Sequence, residues 1–223
     1  MAAISQRSFD DWWNAQGEWV ESPNERRKGE SGVLLIQPEE SGQPLLYCKR
    51  QTGHLFRTLL HPFGRPTILR ELNAYRVWEK LGIKLPKVVF GEARRYQNQW
   101  QALLITEPLT GFTDMESWYA SGAYKDCSMQ CRQLLMWQLA LVSAKLHKAY
   151  WQHGCFYPKH IFVKADEDSV EIALLDLEKS RKRWNRKNAA QRDLDQLYRH
   201  RGAIPENDWS FFQKTFEALH ALF

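Results

Sequence analysis

The chain has 223 residues, of which 43% are hydrophobic and 26% are charged. At roughly 100–200 residues per domain, this length allows one large domain or two small lobes and excludes a long repeat array. Thirty-one Lys and Arg against 26 Asp and Glu give a mild net charge of +5. Ten tryptophans and 13% aromatic residues exclude a disordered chain and predict packed aromatic clusters or aromatic recognition surfaces.

Four cysteines are too sparse for a disulfide framework and form no paired CxxC motif, which favours a reducing compartment. The N-terminal residues contain no apolar stretch typical of a signal peptide. No later segment approaches the roughly 18 apolar residues that span a bilayer. We therefore expect a cytoplasmic protein whose membrane contact is peripheral.

The first part of the chain predicts a short helix followed by a hairpin. Residues 8–19 have the pattern of an amphipathic helix. The apolar runs VLLIQ (33–37) and LLYCKR (45–50) flank the turn-rich PEESGQP, which is typical of a β-hairpin with a longer loop.

A helix and a second pair of strands complete this half. Apolar residues recur at helical spacing over 66–81, and Gly82 is a suitable stop. Residues 87–94 and 101–107 predict two strands joined by the polar turn YQNQ.

The pattern changes near Pro108, after which helices dominate. Residues 109–122 predict a loop and a short helix, and 129–152 predict a long helix that Gly154 ends. A small hairpin follows, in which HIFVK and VEIALLD flank the acidic turn ADEDS. A basic stretch and further helix then reach the C-terminus. This element order is that of an α+β, bilobal protein-kinase-like fold, with a β-rich lobe at 1–107 and a helical lobe at 108–223.

Lys49 and Glu71 are the first candidate pair. Lys49 lies inside an apolar strand, and Glu71 projects from the apolar stripe of the next helix. A buried ammonium is costly without an anionic partner, so the two charges predict a Lys–Glu pair oriented on phosphates. The alternative is that Lys49 extends outward and Glu71 is solvated.

Asp176 follows an apolar strand, where a carboxylate suits a hard cation such as Mg²⁺. The alternative is an Asx turn or a helix cap. Just upstream, HGCFYPKHIF contains His153, Cys155 and His160. A thiol nucleophile with a histidine base is disfavoured, because Cys155 follows a helix C-terminus, whose partial negative charge opposes a thiolate. Zinc binding lacks a second ligand pair.

Taken together, these motifs resemble the Kdo/WaaP lipopolysaccharide kinase family, and HGCFYPKHIFVK with LLDLEKSR resembles its InaA-like branch. The resemblance covers roughly residues 28–197. It implies that Lys49 holds the α- and β-phosphates of ATP, that Glu71 orients Lys49, and that the backbone of Glu107 and Leu109 binds adenine.

The resemblance also implies a metal site. Asp176 matches the metal-binding aspartate of the family, and His160 falls where lipopolysaccharide kinases place a histidine ligand for Mg²⁺. A glycine-rich phosphate loop is only partly present, as Gly29 and Gly32.

Cys155 departs from the family pattern, which has an aspartate at this position. A thiol with a reference pKa of about 8.5 is a poor acceptor for a hydroxyl proton. General base catalysis contributes about 10²–10⁴ in rate, and phosphoryl transfer depends mainly on positioning and charge stabilisation. We therefore expect a slow kinase acting on a sugar hydroxyl of lipopolysaccharide core, with a non-enzymatic pseudokinase in envelope stress as the alternative.

Residues 179–192 (KSRKRWNRKNAAQR) hold seven Lys or Arg and no acidic residue. They occupy the place of a kinase activation segment, so we expect them to attract an anionic partner, such as lipopolysaccharide core or the cytoplasmic leaflet of the inner membrane. The alternatives are an ordinary solvated run and nucleic-acid binding, since Trp184 interrupts the basic residues.

Overall fold

The computed structural model describes residues 7–26, 29–38, 44–166 and 169–222. Most of the predicted PEESGQP turn and the centre of the acidic turn ADEDS lie outside the described residues. The chain divides into two compact units, one of residues 1–73 and 86–108 and the other of residues 74–85 and 109–223.

The described residues form helices and strands in the α+β mixture that the sequence predicts. The helices are α1 (Phe9–Trp13), α2 (Thr67–Lys80), α3 (Met115–Ala120), α4 (Met129–Lys148), α5 (Arg186–Arg199) and α6 (Glu206–Leu222). The strands are β1 (Glu18–Arg26), β2 (Gly29–Ile36), β3 (Leu46–Thr52), β4 (Leu55–Thr58), β5 (His61–Pro66), β6 (Val88–Tyr96), β7 (Gln99–Thr106), β8 (Thr113–Asp114), β9 (Trp151–Gln152), β10 (Ile161–Ala165), β11 (Val170–Leu174) and β12 (Arg181–Lys182).

An antiparallel sheet of five strands, in the order β1-β2-β3-β7-β6, forms the centre of the first unit. Alternate residues are buried in β2, and in β3 as far as Lys49, as expected for strands with one face on a core. Helix α1 packs Phe9 and Trp12 onto this face, where they join Leu34, Leu103 and Ile105. The predicted hairpin and the strand pair β6–β7 are thus confirmed.

The predicted helix at 8–19 is too long, because the chain from Glu18 onward pairs with β2 instead. At Gly17 a Cβ atom would lie 2.4 Å from the carbonyl oxygen of Leu35. Only a glycine permits this close approach, so tertiary pairing ends the helix that the local pattern favours.

A two-stranded hairpin, β4–β5, precedes α2 and has no counterpart among the predicted elements. Its turn consists of Leu59 and Leu60 rather than the Asn, Gly or Asp that usually signal a hairpin. The turn therefore carries no signal that local sequence rules recognise.

In the second unit, α4 packs against α6, and its buried face includes Leu135, Leu139 and Leu146. The predicted helix extends too far, since α4 ends at Lys148. Tyr150 has a φ of 62° in the left-handed region, and the next two residues pair as β9 with β12.

The predicted small hairpin is confirmed as β10–β11, and β8 extends it to three strands. Residues before β6 also belong here, since Lys84 bridges to Ala173 on β11. None of the described helices is long and apolar enough to cross a membrane.

Candidate active site

Lys49 and Glu71 form an ion pair inside the first unit. Strand β3 holds Lys49 between β2 and β7, opposite Val33 and Leu104. Its Nζ lies 2.9 Å from Oε2 of Glu71 on α2, and the two side chains are 18% and 4% exposed. The alternative of a solvated Glu71 is wrong. A carboxylate this deeply buried needs a cationic partner, so the ion pair holds the Lys49 ammonium beside Glu71.

Glu107 and Leu109 lie where the chain leaves β7. The backbone N–H of Glu107 donates to the carbonyl of Lys87 at 2.9 Å, and the Glu107 carboxylate accepts from the Lys87 ammonium at 2.6 Å. The carbonyl of Leu109 accepts from the N–H of Phe112 at 3.1 Å. Adenine binding by these residues stays a prediction.

Gly29 and Gly32, predicted as part of a phosphate loop, both lie in β2. A Cβ atom on Gly32 would lie 2.7 Å from the ring of Trp19, and one on Gly29 would lie 2.3 Å from the backbone of Gly53. Close packing of neighbouring chain segments therefore accounts for both glycines without a phosphate.

Asp193 on α5 organises the loop that carries the candidate residues of the second unit. Its carboxylate is fully buried and accepts the backbone N–H groups of His153 at 2.8 Å and of Gly154 at 3.0 Å. The imidazole Nε2 of His147 lies 3.0 Å from the same carboxylate. Gly154 itself has a φ of 80°, so the loop turns where only glycine is unstrained.

Gln196 and Ser180 hold the same loop from other sides. The Gln196 amide accepts from the N–H of Phe156 at 3.0 Å and donates to the carbonyl of Gly154 at 3.2 Å. The Ser180 hydroxyl donates to the carbonyl of His153 at 3.0 Å. These positioning residues were absent from the sequence predictions.

One sequence signal points to Asp193. It lies on the apolar face of α5, together with Ala189, Ala190 and Leu197, and all four residues are buried. An acidic residue on a buried helix face requires specific partners, although the sequence does not identify them.

His160 is oriented by a hydrogen bond from its own loop. Its Nδ1 lies 2.8 Å from the carbonyl oxygen of Cys155, so this nitrogen carries the proton and donates it. The other nitrogen, Nε2, then faces Oδ2 of Asp176 at 3.7 Å. A histidine that donates one ring N–H to a backbone carbonyl and presents the other nitrogen is arranged as metal-ligating histidines are.

Asp176 lies two residues beyond β11 and has a φ of 59°, which is uncommon for a residue other than glycine. The N–H of Leu175 donates to the carbonyl of His160 at 2.9 Å and ties this segment to the loop. The helix-cap alternative fails, because the next helix in the described chain begins at Arg186. Backbone strain of this kind concentrates at functional sites.

Cys155 is buried beside these two residues, and its sulfur, a ring nitrogen of His160 and a carboxylate oxygen of Asp176 all lie within 4.8 Å of one another. Burial, and then the charge of Asp176, raise the pKa of the Cys155 thiol to about 12, although Lys179 opposes the shift. The thiol is therefore protonated at neutral pH and serves neither as a nucleophile nor as a base.

His153 is not placed to act as a base toward the Cys155 thiol. Burial lowers the pKa of His153 to about 4, and its Nδ1 accepts the backbone N–H of Cys155 at 3.3 Å rather than the S–H. The arrangement of a thiol nucleophile with a histidine base is thus not formed by this pair.

The chemistry of the donor set fits a hard divalent cation at His160 and Asp176. Two acceptor atoms that face each other at 3.7 Å are favourably placed if a cation is shared between them. Mg²⁺ needs only one or two protein ligands, since waters and phosphates complete its octahedral shell. The protonated sulfur of Cys155 does not suit Mg²⁺ as a ligand.

The basic segment 179–192 is ordered secondary structure over much of its length. Arg181 and Lys182 form β12, and Arg186 begins α5 after the Asn185 cap. Trp184 is fully exposed between them. The segment therefore presents an exposed tryptophan flanked by cations.

Comparison with known proteins identifies the family. Residues 10–216 match the model of the lipopolysaccharide kinase (Kdo/WaaP) family. The chain belongs to that family. It is 43% identical over 211 residues to Protein InaA of Escherichia coli (strain K12), which covers 95% of this chain and 96% of that protein.

A solved structure, described as WaaP in complex with acyl carrier protein, shares the fold. The TM-score is 0.71 at 18% identity, over 96% of this chain and 84% of that chain. The predicted kinase-like fold and the predicted family are both confirmed. Family membership supports a kinase-like function related to lipopolysaccharide.

Proposed function

We propose that the protein is a phosphotransferase that moves the γ-phosphate of ATP to a sugar hydroxyl of lipopolysaccharide core, and that it is slow because of Cys155. The observation that carries this proposal is the buried Lys49–Glu71 ion pair, with its Nζ–Oε2 distance of 2.9 Å, in a chain of a lipopolysaccharide kinase family. A kinase requires this pair to bind and orient phosphates.

In this proposal, residues 1–107 supply the nucleotide-binding groups. Lys49 neutralises the α- and β-phosphates, and Glu71 prevents the ammonium from turning away. The backbone of Glu107 and Leu109 holds adenine. The charge on Lys49 is well suited to this role, since a partly desolvated ammonium attracts phosphate more strongly than one in bulk water.

Residues 108–223 supply the metal-binding groups. Asp176 and the Nε2 of His160 would hold Mg²⁺, which when bound neutralises phosphate charge during transfer. The hydrogen bond from His160 to the Cys155 carbonyl keeps the ring in the orientation that presents Nε2. Asp193 and Gln196 fix the loop on which His160 and Cys155 lie.

Cys155 limits the rate. A thiol with a pKa near 12 cannot accept the proton of a sugar hydroxyl at neutral pH. The proton would leave to solvent or to the transferred phosphoryl group, so only positioning and charge stabilisation remain, which still account for most of the acceleration in phosphoryl transfer.

The proposed acceptor is an anionic glycolipid, and the protein would act at the cytoplasmic face of the inner membrane. Seven Lys or Arg within residues 179–192 favour a phosphorylated acceptor. Nucleic acid is the weaker candidate, and steeply salt-dependent binding to DNA or RNA would be its signature.

The test combines binding and transfer. ATP with Mg²⁺ should raise the melting temperature of the wild type, and labelled phosphate should pass slowly to purified core oligosaccharide. Lys49→Met and Asp176→Ala should abolish both, whereas the matched control Lys214→Met, on an exposed lysine of α6, should not. Unchanged nucleotide binding and transfer in both site variants would refute the proposal.

The raised pKa of Cys155 favours one alternative, a non-enzymatic pseudokinase that senses nucleotide or acts as a scaffold in envelope stress. Cys155→Asp distinguishes the two. A gain of about 10²-fold or more in ATP turnover supports a weakened kinase. Nucleotide binding without turnover in either form supports a sensor, and no nucleotide binding in either form supports a scaffold.

A further inference from the structure

The hairpin β4–β5 presents apolar side chains to solvent at its tip. Leu59, Leu60 and Phe63 have relative exposures of 102%, 87% and 86%. Burying leucine and phenylalanine side chains is strongly favourable, and contiguous exposed apolar groups usually mark an interaction site. None of these three side chains belongs to the buried core of the first unit, and the proposed function assigns none of them to nucleotide binding.

The turn sequence has no conformational explanation. Leu59 and Leu60 form the turn between Thr58 and His61. The two central positions of such a turn usually carry residues such as Asn, Gly or Asp. The turn is closed by polar groups instead, since the N–H of His61 donates to the hydroxyl of Thr58 at 3.1 Å. Two leucines that are neither buried nor suited to a turn point to an external apolar partner.

The hairpin is firmly anchored at its base. The hydroxyl of Thr67 donates to the Gln51 side chain at 2.8 Å and lies 2.9 Å from Nδ1 of His54, and all three residues are buried. The N–H of Thr67 also donates to the carbonyl of His54. These buried contacts therefore fix the base of the hairpin in the first unit.

The charges along the hairpin and the first residues of α2 have one sign. Residues 54–70 contain three arginines and two histidines and no acidic residue. Arg57 and Arg65 are exposed on the two strands beside the tip, and Arg70 lies over the ring of Phe56 at 4.7 Å. Apolar side chains at a tip with cations behind them match the order of layers in an anionic bilayer, hydrocarbon first and phosphate above it.

A protein partner fits this surface less well. Stable protein interfaces bury about 800 Å² on each side, usually with a broad packed centre. Two leucines on the turn and one phenylalanine on the adjoining strand β5 present far less area than that, whereas they can insert between lipids one by one.

We propose that the β4–β5 hairpin is a membrane-insertion element, in which Leu59, Leu60 and Phe63 enter the acyl region of an anionic bilayer while Arg57 and Arg65 contact lipid phosphates. The sequence prediction of peripheral membrane contact rests on residues 179–192; this inference assigns the contact to a different surface. It does not depend on phosphotransfer, because lipid binding is measured without nucleotide.

The experiment is vesicle flotation of the full chain, with phosphatidylethanolamine–phosphatidylglycerol vesicles compared with pure phosphatidylcholine. The triple variant Leu59→Ser, Leu60→Ser, Phe63→Ser should bind the anionic vesicles about 1000-fold more weakly, at about tenfold for each inserted side chain. The pair Arg57→Gln, Arg65→Gln should lose about fivefold for each charge, and only on anionic vesicles.

The matched control changes two exposed lysines outside residues 54–70 and 179–192, through Lys80→Gln and Lys214→Gln, and it should keep binding within about twofold. Because all substituted side chains are exposed, melting temperatures should stay unchanged, which separates lost contact from lost folding. Hydrogen exchange with and without vesicles should show lipid-dependent protection confined to 55–66.

Four results would overturn the proposal. The wild type could fail to bind anionic vesicles, the hairpin triple variant could bind like the wild type, or lipid protection could fall on 179–192 instead. The fourth result is binding of the hairpin to an acidic protein without binding to bilayers, which would show that its partner is a protein.

Discussion

Removing the Asp193 carboxylate tests how the loop at 153–160 is held. In Asp193→Ala, the N–H groups of His153 and Gly154 and the Nε2 of His147 lose their acceptor within the core. Each buried donor left without a partner costs about 1–3 kcal/mol. Partial relaxation of the loop reduces the sum, so we expect the free energy of unfolding to fall by about 4 kcal/mol.

The conservative variant refines the test. Asp193→Asn retains one oxygen acceptor but turns an NH₂ group toward a donor, so we expect a loss of about 2 kcal/mol. Asp195→Asn on the same helix is the control, because that carboxylate is exposed and should change stability by less than about 0.5 kcal/mol.

The assay is equilibrium unfolding in guanidinium chloride, followed by tryptophan fluorescence and by far-ultraviolet circular dichroism. Two probes are needed because the chain has two compact units that can unfold separately. If Asp193→Ala lies within about 1 kcal/mol of the wild type by both probes, the loop is held by other contacts and the reasoning is refuted.

Three further predictions concern His153, Cys155 and Trp12. Because burial lowers the pKa of His153 to about 4 from 6.5, the unfolded state binds a proton that the folded state excludes. Stability should therefore fall by up to about 3 kcal/mol as pH drops from about 6.5 to 4, and His153→Gln should flatten that part of a denaturation profile. The raised pKa of Cys155 predicts that iodoacetamide labels it far more slowly than the partly exposed Cys127 at pH 7, as mass spectrometry would show; equal rates would contradict the burial argument. Trp12→Ala should cost about 3–5 kcal/mol in unfolding free energy, while Trp19→Ala, on a half-exposed side chain, should cost much less.

The local patterns predicted those elements whose packing agrees with their periodicity. Helix α2 and the hairpins β2–β3 and β10–β11 each place their apolar residues on the face that becomes buried. Where tertiary contacts disagree with the local pattern, prediction failed. Residues 18 and 19 pair with β2 instead of continuing a helix, and residues 151 and 152 pair with β12.

The Lys49–Glu71 pair was predictable because a charge on an apolar strand or an apolar helix face requires a partner. The partners of Asp193 could not be predicted, because they are backbone N–H groups about 40 residues away in sequence and no side-chain pattern encodes them. The β4–β5 hairpin was missed because its Leu–Leu turn lacks the usual turn residues.

The sequence by itself determined the elements whose packing agrees with their local pattern, the family resemblance, and which side chains have chemistry to offer. Only the tertiary structure decided which of these side chains are buried, and burial sets the proton affinity of Cys155 and His153. A thiol of ordinary pKa becomes one near 12 at Cys155, and an imidazole that would titrate near neutrality stays neutral at His153. The same packing decided which of the ten tryptophans form the core and left Trp184 in solvent. Proton affinity and exposure depend on neighbours distant in sequence, and only the folded chain brings those neighbours together.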